Sequence, residues 1–456
     1  MAHRRLVTNL GLVACAGLTL VACGTRRASR DFESTPSSPG SVPAVSTSTP
    51  AANPASDVGV SPTEIRVGVI ASRTSVLGPD AFSAPSYGAQ AYFDGLNARG
   101  GIHGRRVKVD VCDDTGTGAG NIKCVRKLID SDHVFALAGT SAFQYAGASY
   151  VSQKGVPDIG GQPIGNEYEQ YQHLYSIYGS SSPRNGSVGF GGKLYGGTEV
   201  YRYFKQDLGA KTAEVVAYNQ ADSLRFADLT ARGLKLEGYQ VFTDQVDFGV
   251  ANWDAVALNM KARHVDVVFD ALESSGNVNL CNAMDRNGVK VKAKVMTVQG
   301  WSDTVRSDYG AAPTCRNSLY ATATDLNYAD VSHPVVNQFR DDMKRFFPDR
   351  EKKVSMWELE GWASAQWFTD AATSCGAQLN RGCVEKYMNQ TQPYDGHGLL
   401  TPRRFQVSPN PGASTRNCLN VARWQDSANN GQGAWVTQTP DMNNTCFDVP
   451  SIAYSP

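Results

Sequence analysis

IRVGVI at residues 65–70, YGAQAYFDGL at 87–96 and VKVDVC at 107–112 follow one another in the first third of the chain. The first and third stretches are rich in valine and isoleucine and predict strands, whereas the second spaces its apolar residues as a helix does. Glycines at 100 and 101 predict the end of that helix. A strand, a helix and a strand in this order predict a βαβ unit, because parallel neighbours require a crossover connection.

The alternation of strand and helix continues to about residue 300. It predicts helices at 121–130, 144–153, 199–207, 224–236, 253–262 and 277–287, and strands at 134–137, 156–159, 214–218, 240–242, 265–269 and 292–298. Further helices are predicted at 334–347, 357–374 and 384–389, and β-like stretches at 404–407 and 418–436. The fold class is therefore α/β, with two doubly wound parallel-sheet lobes. Two independent Rossmann-like domains are the alternative.

Composition and charge exclude several classes of protein. The 456 residues allow about three domains. Lys plus Arg and Asp plus Glu both number 43, so no basic excess is available to neutralise nucleic acid. Only one apolar run, at 6–22, approaches the length of a membrane-spanning helix. The chain is therefore predicted to be neither a nucleic-acid-binding protein nor a multi-span membrane protein.

The N-terminus predicts an exported protein. Residues 1–22 have the basic start and apolar stretch of a signal peptide. They end in Leu20-Val-Ala-Cys23, which resembles the bacterial lipobox and implies cleavage before Cys23 and lipid attachment to its thiol. Residues 23–58 are rich in Ser, Thr, Pro and Ala and are predicted to be a disordered linker. The expected location is the extracytoplasmic face of the cell membrane; an ordinary secretory signal with an incidental cysteine is the alternative.

The cysteines indicate an oxidising compartment. Ten are present, and eight remain after Cys15 and Cys23 are set aside. An even number on an exported chain predicts disulfides. The favoured local pairs are Cys112 with Cys124, Cys281 with Cys315, Cys375 with Cys383 and Cys418 with Cys446. Neither CxxC pairs nor the Cys/His spacings of zinc sites occur, so no metal and no cofactor is expected.

Signatures of catalysis are weak. The stretch at 139–143 lacks the second glycine of a nucleophile elbow, and no Gly-x-x-x-x-Gly-Lys-Ser/Thr motif occurs. Glu358 and Glu360 lie at the start of a predicted helix, where carboxylates interact favourably with the helix dipole. The chain is therefore predicted not to be an enzyme.

Several stretches of the chain resemble one family. They are Val67-Gly-Val-Ile70, Ala89 to Gly104 with its N-x-x-G-G-I-x-G phrase at 97–104, Val109 to Asp114, Gly139-Thr-Ser-Ala and Gly155-Val-Pro157. Together they resemble the solute-binding proteins of ABC importers, in the leucine/isoleucine/valine-binding branch of the type I periplasmic-binding fold. The similarity extends from residue 65 to about residue 423.

The resemblance implies two lobes with a ligand cleft between them. The implied lobes are 59–178 with 325–397, and 182–322 with 402–456. Three crossing segments, near 176–183, 322–327 and 397–402, would join them. Hinge motion about these segments would close the cleft on its ligand, as in periplasmic binding proteins.

The resemblance also implies ligand contacts from lobe 1. Hydroxyl and amide groups of Thr140, Ser141, Gly161 and Gln162 would hold a ligand carboxylate. These residues follow two predicted strands, where helix N-termini and backbone N–H groups collect in parallel sheets. Helix capping alone is the alternative role for such small hydroxyl residues.

On lobe 2 the implied contacts depart from those of amino-acid binders. Asp222 or Ser223 would contact the ligand after one strand. The acidic residue that holds a ligand ammonium in amino-acid binders is missing, because the matching stretch contains Gln299 and Trp301. Glu273 is the candidate substitute. A neutral amide, an aromatic compound or a carboxylic acid fits these residues at least as well, since indole offers stacking and one N–H donor.

Three functions are compatible with these observations. The prediction is a lipid-anchored, monomeric receptor that delivers a small molecule to an ABC transporter permease. A ligand sensor on the same fold is the second possibility. The third is an extracytoplasmic hydrolase, which would convert the molecule that it binds.

Overall fold

The computed structural model describes residues 53–75, 82–247, 249–296 and 298–455, except for the side chains of residues 221 and 222. The predicted signal peptide, Cys23 and the linker up to residue 52 lie outside these residues. Residues 53–58, predicted as the end of the disordered linker, are instead bonded to lobe 1: the Pro54 carbonyl accepts from Arg105 (3.0 Å) and the Asp57 carboxylate accepts from the Arg381 amide (2.7 Å). The strands are β1 (Glu64–Ala71), β2 (Arg106–Asp113), β3 (Ala136–Thr140), β4 (Asp158–Gly160), β5 (Leu174–Ser176), β6 (Leu194–Gly196), β7 (Thr212–Tyr218), β8 (Gln240–Val246), β9 (Val267–Ala271), β10 (Ala293–Met296), β11 (Leu319–Ala323), β12 (Thr415–Cys418), β13 (Asn420–Gln425), β14 (Ala434–Thr437), β15 (Cys446–Val449) and β16 (Ile452–Tyr454). The helices are α1 (Ala84–Ala98), α2 (Gly118–Arg126), α3 (Ala148–Gln153), α4 (Glu199–Asp207), α5 (Ala221–Leu236), α6 (Trp253–Ala262), α7 (Ser274–Arg286), α8 (Val305–Asp308), α9 (Pro313–Arg316), α10 (Pro334–Phe346), α11 (Met356–Ser374) and α12 (Arg381–Met388).

The sheet of lobe 1 contains β1 to β5. Its strand order is β2-β1-β3-β4-β5, and all neighbours are parallel. β1 pairs with β2 from Glu64 opposite Arg106 to Ala71 opposite Asp113, and α1 connects the two strands. The predicted βαβ unit is therefore confirmed. β5 has no counterpart among the predicted strands, because three residues are too few to show a periodicity.

The sheet of lobe 2 has the strand order β14-β13-β11-β10-β9-β7-β8. Its parallel part, β8-β7-β9-β10-β11, repeats the strand order of lobe 1. β13 and β14 extend it in antiparallel fashion and lie in or near the β-like stretch predicted at 418–436. The stretch predicted at 404–407 does not form a strand; its Phe405 makes one bridge, with Ser180. The expected α/β fold with two parallel-sheet lobes is confirmed.

Helix α11 belongs to lobe 1 because it packs closely on α1. A Cβ atom on Gly88 of α1 would lie 1.8 Å from the Glu358 carbonyl oxygen, and one on Gly361 of α11 would lie 2.0 Å from the Pro85 carbonyl oxygen. Glycine at both positions lets the two backbones approach each other. The approach buries Trp362, whose ring lies edge-on to its neighbours.

The chain passes from lobe 1 to lobe 2 after β5, returns after β11 and crosses again after α12. The crossing segments lie side by side, since Ser180 bridges Phe405 and Asp325 bridges Leu400. Arg403 ties the second crossing to the third. Its Nη2 donates to the Thr324 carbonyl (2.9 Å) and to Asp325 (3.2 Å).

The eight cysteines of the described residues form disulfides in the four predicted pairs. These are Cys112–Cys124, Cys281–Cys315, Cys375–Cys383 and Cys418–Cys446. Each cross-link restricts the unfolded chain and so favours the folded one. No helix within the described ranges is long and apolar enough to cross a membrane.

Candidate functional site

Each lobe has a place where its strand order reverses. In lobe 1 it lies between β1 and β3, and in lobe 2 between β7 and β9. In open parallel sheets, ligands bind outside the carboxyl ends of the strands at such a switch point, because the connections leave in opposite directions and open a crevice. The residues that follow these four strands therefore define the candidate site.

Ser72 and Ser141 follow β1 and β3 and are tied together. The Ser72 amide donates to the Ser141 carbonyl (3.1 Å), and the Ser72 hydroxyl donates to Asp114 (2.6 Å) and accepts from the Phe143 amide (3.1 Å). The Ser141 side chain is fully buried, and its hydroxyl has no hydrogen-bond partner among the described residues. Buried polar groups are normally paired, so the Ser141 hydroxyl has capacity for a ligand.

The other predicted residues of lobe 1 already bind protein groups. The Thr140 hydroxyl donates to Asp158 (2.8 Å), and the Thr140 carbonyl accepts from the amides of Gly161 (3.0 Å) and Gln162 (3.1 Å). A Cβ atom on Gly161 would lie 2.8 Å from the Gly139 Cα atom, so this glycine permits close backbone packing. These contacts use the Thr140 hydroxyl and both backbone donors within lobe 1.

Three aromatic side chains lie beside the switch point of lobe 1, and we call them the aromatic wall. The ring centroid of Phe82 lies 5.1 Å from that of Phe143 and 5.7 Å from that of Trp357. Val298, which lies between β10 and α8 of lobe 2, packs against the same cluster. The aromatic wall is therefore an apolar surface of lobe 1 that lobe 2 also contacts.

Arg73, which follows Ser72, was not among the predicted site residues. Its Nε and Nη2 atoms donate to Ser86 Oγ in α1 (3.1 and 3.0 Å), and its guanidinium lies over the Tyr87 ring, 4.6 Å from the centroid. The half-buried guanidinium forms no ion pair with a described carboxylate, and Nη1 donates to no described residue. Burial is the main influence on the pKa of Arg73 and lowers it.

Glu273 follows β9 at the switch point of lobe 2. Its carboxylate accepts from the Tyr218 hydroxyl (2.5 Å), from the Gly276 amide (3.1 Å) and from the Ser275 hydroxyl. The contact with the Gly276 amide caps α7, because this amide is one of the N–H groups that a helix start leaves unpaired. The Glu273 carboxylate is thus engaged within lobe 2.

Ser223 lies in the first turn of α5 after β7. Its hydroxyl accepts from the Tyr218 amide (2.8 Å) and donates to the Ala271 carbonyl (2.8 Å), so it fastens β7 to β9. The side chain of Asp222, the neighbouring predicted contact, lies outside the described residues.

Gln299 and Trp301 follow β10. Gln299 is half-buried in a 3-10 turn, Val298–Gly300. Trp301 is fully buried, with its ring centroid 5.9 Å from that of Trp435, and its carbonyl accepts from the Met356 amide of α11 (2.9 Å). Trp301 therefore lies in the core where lobe 2 meets lobe 1. Its indole Nε1 has no hydrogen-bond partner among the described atoms.

Gln162 belongs to a polar network that reaches the crossing segments. The Tyr178 hydroxyl donates to Glu360 (2.9 Å). The Gln162 amide is satisfied when its nitrogen faces Glu360 and the Tyr178 hydroxyl (2.6 Å) and its oxygen accepts from Trp357 Nε1 (3.2 Å). Gln162 thus connects the aromatic wall to the first crossing segment.

Glu360, Asp325 and Arg403 form a buried charge cluster, which we call the hinge cluster. Asp325 pairs with Arg403 (3.2 Å), and the Glu360 carboxyl group interacts electrostatically with both. Burial raises the pKa of Glu360 well above its ordinary value, and the neighbouring Asp325 carboxylate raises it further. Burial also raises the pKa of Asp325. Two buried carboxyl groups in contact are stable when they share a proton.

No group of three or more His, Cys, Asp or Glu side chains within the described ranges could hold a metal ion. Sequence reasoning missed Arg73, Phe82, Phe143 and Trp357. The one available signal was the position of Arg73 and Phe143, which come soon after the first and third predicted strands.

Two parallel-sheet lobes with the same strand order, joined by three crossing segments, define the type I periplasmic-binding fold. A family model described as periplasmic binding protein matches residues 64–432, and the chain belongs to this family. No curated protein matches the chain in sequence.

Solved structures share this fold at low sequence identity. A leucine-binding protein from Thermotoga maritima is 15% identical, with 83% of this chain and 99% of that chain covered and a TM-score of 0.61. A fatty acid ABC transporter substrate-binding protein from Thermomonospora curvata is 13% identical, with 86% and 97% covered and a TM-score of 0.61. A solute-binding protein of an ABC transporter from R. palustris, in complex with benzoate, is 13% identical, with 85% and 97% covered and a TM-score of 0.59.

Proposed function

We propose that this protein captures a small organic molecule between its lobes and delivers it to an ABC transporter permease. The observation that supports this most directly is the switch point of lobe 1, where a buried hydroxyl without a partner lies near a half-buried guanidinium and the aromatic wall. Family membership and neighbours that bind leucine, a fatty acid or benzoate agree with the proposal. The ligand is an amino acid, an amide or an aromatic acid, and no chemical conversion follows binding.

The proposal includes the architecture expected from the sequence. The lobes are 59–178 with 325–397, and 182–322 with 402–456, and they close by hinge motion about the crossing segments. The mature protein is a monomer, and a lipid on Cys23 and the linker that begins there hold it outside the cell membrane. The side-by-side arrangement of the crossing segments supports a hinge at this position.

A thermal-shift screen of residues 59–456 tests the proposal. Amino acids, amides, small acids and aromatic compounds are added after prebound ligand has been removed by unfolding and refolding. A ligand at 100 times its Kd adds about 2.7 kcal/mol to stability, which raises Tm by several degrees. A shift from one chemical class supports the proposal, whereas turnover of the bound compound, detected by mass spectrometry, would contradict it.

Ser141→Ala is expected to weaken ligand binding without destabilising the free protein. The hydroxyl makes no hydrogen bond in the described structure, so its removal costs the free protein nothing. A hydrogen bond to the ligand would be lost, which weakens binding by about 1–3 kcal/mol. Isothermal titration calorimetry with a ligand from the screen measures the difference. Ser149→Ala in α3 is the control and should leave affinity unchanged; equal affinities of all three proteins would remove Ser141 from the site.

Cys23→Ala is expected to abolish lipid attachment and release the protein from the membrane. The thiol is the proposed acceptor of the lipid, so its replacement removes the proposed anchor. Labelling with a radioactive fatty acid and membrane fractionation follow the change. Cys15→Ala, inside the proposed signal peptide, should still be labelled and should pellet with membranes. A labelled Cys23→Ala protein would disprove the anchor.

A further inference from the structure

The positively charged guanidinium of Arg73 forms no ion pair with a carboxylate of the described residues. Two of its nitrogens donate to the Ser86 hydroxyl, which is neutral. Asp113 lies nearby, but its carboxylate accepts from three backbone amides and from the Thr74 hydroxyl rather than from the guanidinium. A partly buried cation is normally paired with an anion, since charge-assisted hydrogen bonds offset the loss of hydration. This position therefore favours an anionic ligand.

The donors that the sequence suggested for a ligand carboxylate are largely occupied. Thr140 donates to Asp158, and the amides of Gly161 and Gln162 donate to the Thr140 carbonyl. The Ser141 hydroxyl is the predicted side-chain donor without a described partner. Neighbouring residues of an extended chain face opposite sides, so the Ser141 side chain points away from the Thr140–Asp158 side. A ligand carboxylate at this switch point therefore needs a hydrogen-bond donor besides Ser141. Arg73 is a candidate, because it comes two residues after the end of β1, the strand next to β3.

The aromatic wall and Arg73 meet at the start of α1. Ala84, in the first turn of α1, packs with Phe82 and Trp357. Ser86, two residues further along α1, accepts hydrogen bonds from the Arg73 guanidinium. A cation and an apolar aromatic surface therefore lie within one helical turn of each other. Such a pair matches a molecule with a carboxylate at one end and an aromatic ring at the other.

Glu273, the lobe 2 carboxylate predicted to hold the ammonium of a zwitterion, is engaged within the described part of lobe 2. Glu273, the candidate partner for a ligand ammonium, already accepts from Tyr218, Ser275 and Gly276. An α-amino acid bound here would leave its ammonium without a carboxylate from Glu273. The charges of the described residues at the site therefore favour an anion that has no ammonium group.

We propose that the ligand is an aromatic monocarboxylate and that Arg73 is its specificity-determining residue. Nη1 of Arg73 and the Ser141 hydroxyl donate to the carboxylate, while Phe82, Phe143 and Trp357 contact the ring. This inference rests on the proposed function, because it assigns the ligand class of the same cleft.

Calorimetric titration of the wild-type protein, Arg73→Gln and Arg73→Lys tests this inference. The probes are benzoate, 4-hydroxybenzoate, phenylacetate, benzamide, phenylalanine, leucine and hexanoate. One or more of the aromatic carboxylates should bind the wild-type protein more tightly than benzamide, phenylalanine, leucine or hexanoate. Arg73→Gln should weaken binding of that carboxylate about 10- to 100-fold, since a hydrogen bond to a charged group is lost, and Arg73→Lys should retain part of the affinity.

Arg126→Gln is the matched control, because its guanidinium also lies over a tyrosine ring, 5.3 Å from the Tyr150 centroid, but on α2. It should leave every affinity unchanged. If leucine, phenylalanine, benzamide or hexanoate binds best, or if Arg73→Gln binds the carboxylate as the wild type does, this inference is wrong and the proposed function stands. If no class of small molecule binds in the titrations or in the wider screen, both fail. Should Arg73→Gln fail to fold, the ranking of probes by the wild-type protein decides.

Discussion

Glu360→Ala is expected to lower the free energy of unfolding by about 2–5 kcal/mol, because it leaves a cavity in a buried site and leaves buried hydrogen-bonding groups without a partner. Glu360 is almost fully buried and accepts from the Tyr178 hydroxyl (2.9 Å). Its removal leaves the Tyr178 hydroxyl and the Gln162 amide nitrogen without this buried acceptor. Chemical denaturation followed by circular dichroism measures the loss, and Tm should fall by roughly 5 °C or more.

The hinge cluster also predicts a pH dependence that Glu360→Gln should reduce. The pKa of Glu360 is raised in the folded protein, so the fold binds a proton that the unfolded chain releases. The stability from this group is fully present below its ordinary pKa of 4.5 and is lost as the pH rises toward the folded pKa. Glutamine stays uncharged and preserves both a donor and an acceptor, so the variant should lose less stability between pH 5 and pH 8.

Glu351→Gln is the control for this pH dependence. Glu351 is exposed and contacts only Lys344 among the described residues (3.5 Å), so its replacement should change neither the stability nor the slope. Parallel slopes for the wild type and Glu360→Gln would show that the Glu360 carboxyl is ionised in the fold. An unchanged free energy of unfolding in Glu360→Ala would show that the hinge cluster contributes no net stability.

The position of Glu360 illustrates what the sequence could not determine. Sequence patterning placed Glu358 and Glu360 together at a helix start. Glu358 does cap α11 with Ser355, as a carboxylate three residues after a serine often does. Glu360 instead meets Tyr178, which is 182 residues away in sequence. Local spacing identifies a cap because the partner is near in the chain, whereas a partner in another crossing segment leaves no local pattern.

Helices and strands followed the sequence closely where they were long and periodic. The helices predicted at 199–207 and 253–262 have the observed bounds of α4 and α6. The strand predicted at 134–137 instead lies at Ala136–Thr140, since the strand continues through Gly139, which has little strand propensity. The helix predicted from residue 144 begins only at Ala148.

The sequence could place the candidate site at strand ends. It could not show which hydrogen-bond donors there are already paired within the protein and which are available to a ligand. Thr140 and Ser141 are adjacent and similar, and only the fold shows that Asp158 occupies the first while the second stays unpaired. The position of Arg73 soon after a strand was only a weak signal, because arginine after a strand is common on solvated surfaces. Its significance comes from the ring and hydroxyl that half-bury it.

Lys294→Ala is the second large effect that we expect, about 3–5 kcal/mol of lost stability in lobe 2. Lys294 and Asp270 are fully buried side chains that pair at 2.8 Å between Nζ and Oδ2. Nζ also donates to Asn277, and Asn277 donates to the Leu272 carbonyl (3.0 Å) and to the Glu273 carbonyl (3.2 Å). The lysine therefore stabilises the turn between β9 and α7 at the switch point of lobe 2.

The variant should consequently lose ligand affinity as well as stability, because the turn it loosens belongs to the proposed cleft. Lys292→Ala is the matched control. Lys292 is exposed, lies just before β10 and pairs with Asp266 (3.1 Å), so this substitution should lower the free energy of unfolding by less than about 1 kcal/mol.

The double variant Asp270→Asn with Lys294→Met removes both charges and should be more stable than Lys294→Ala, since no unpaired charge remains buried. If the double variant is as unstable as Lys294→Ala, the loss comes from packing rather than from an uncompensated Asp270. Near wild-type stability of Lys294→Ala would mean that water reaches Asp270. Lys294 would then not be needed to stabilise the turn between β9 and α7.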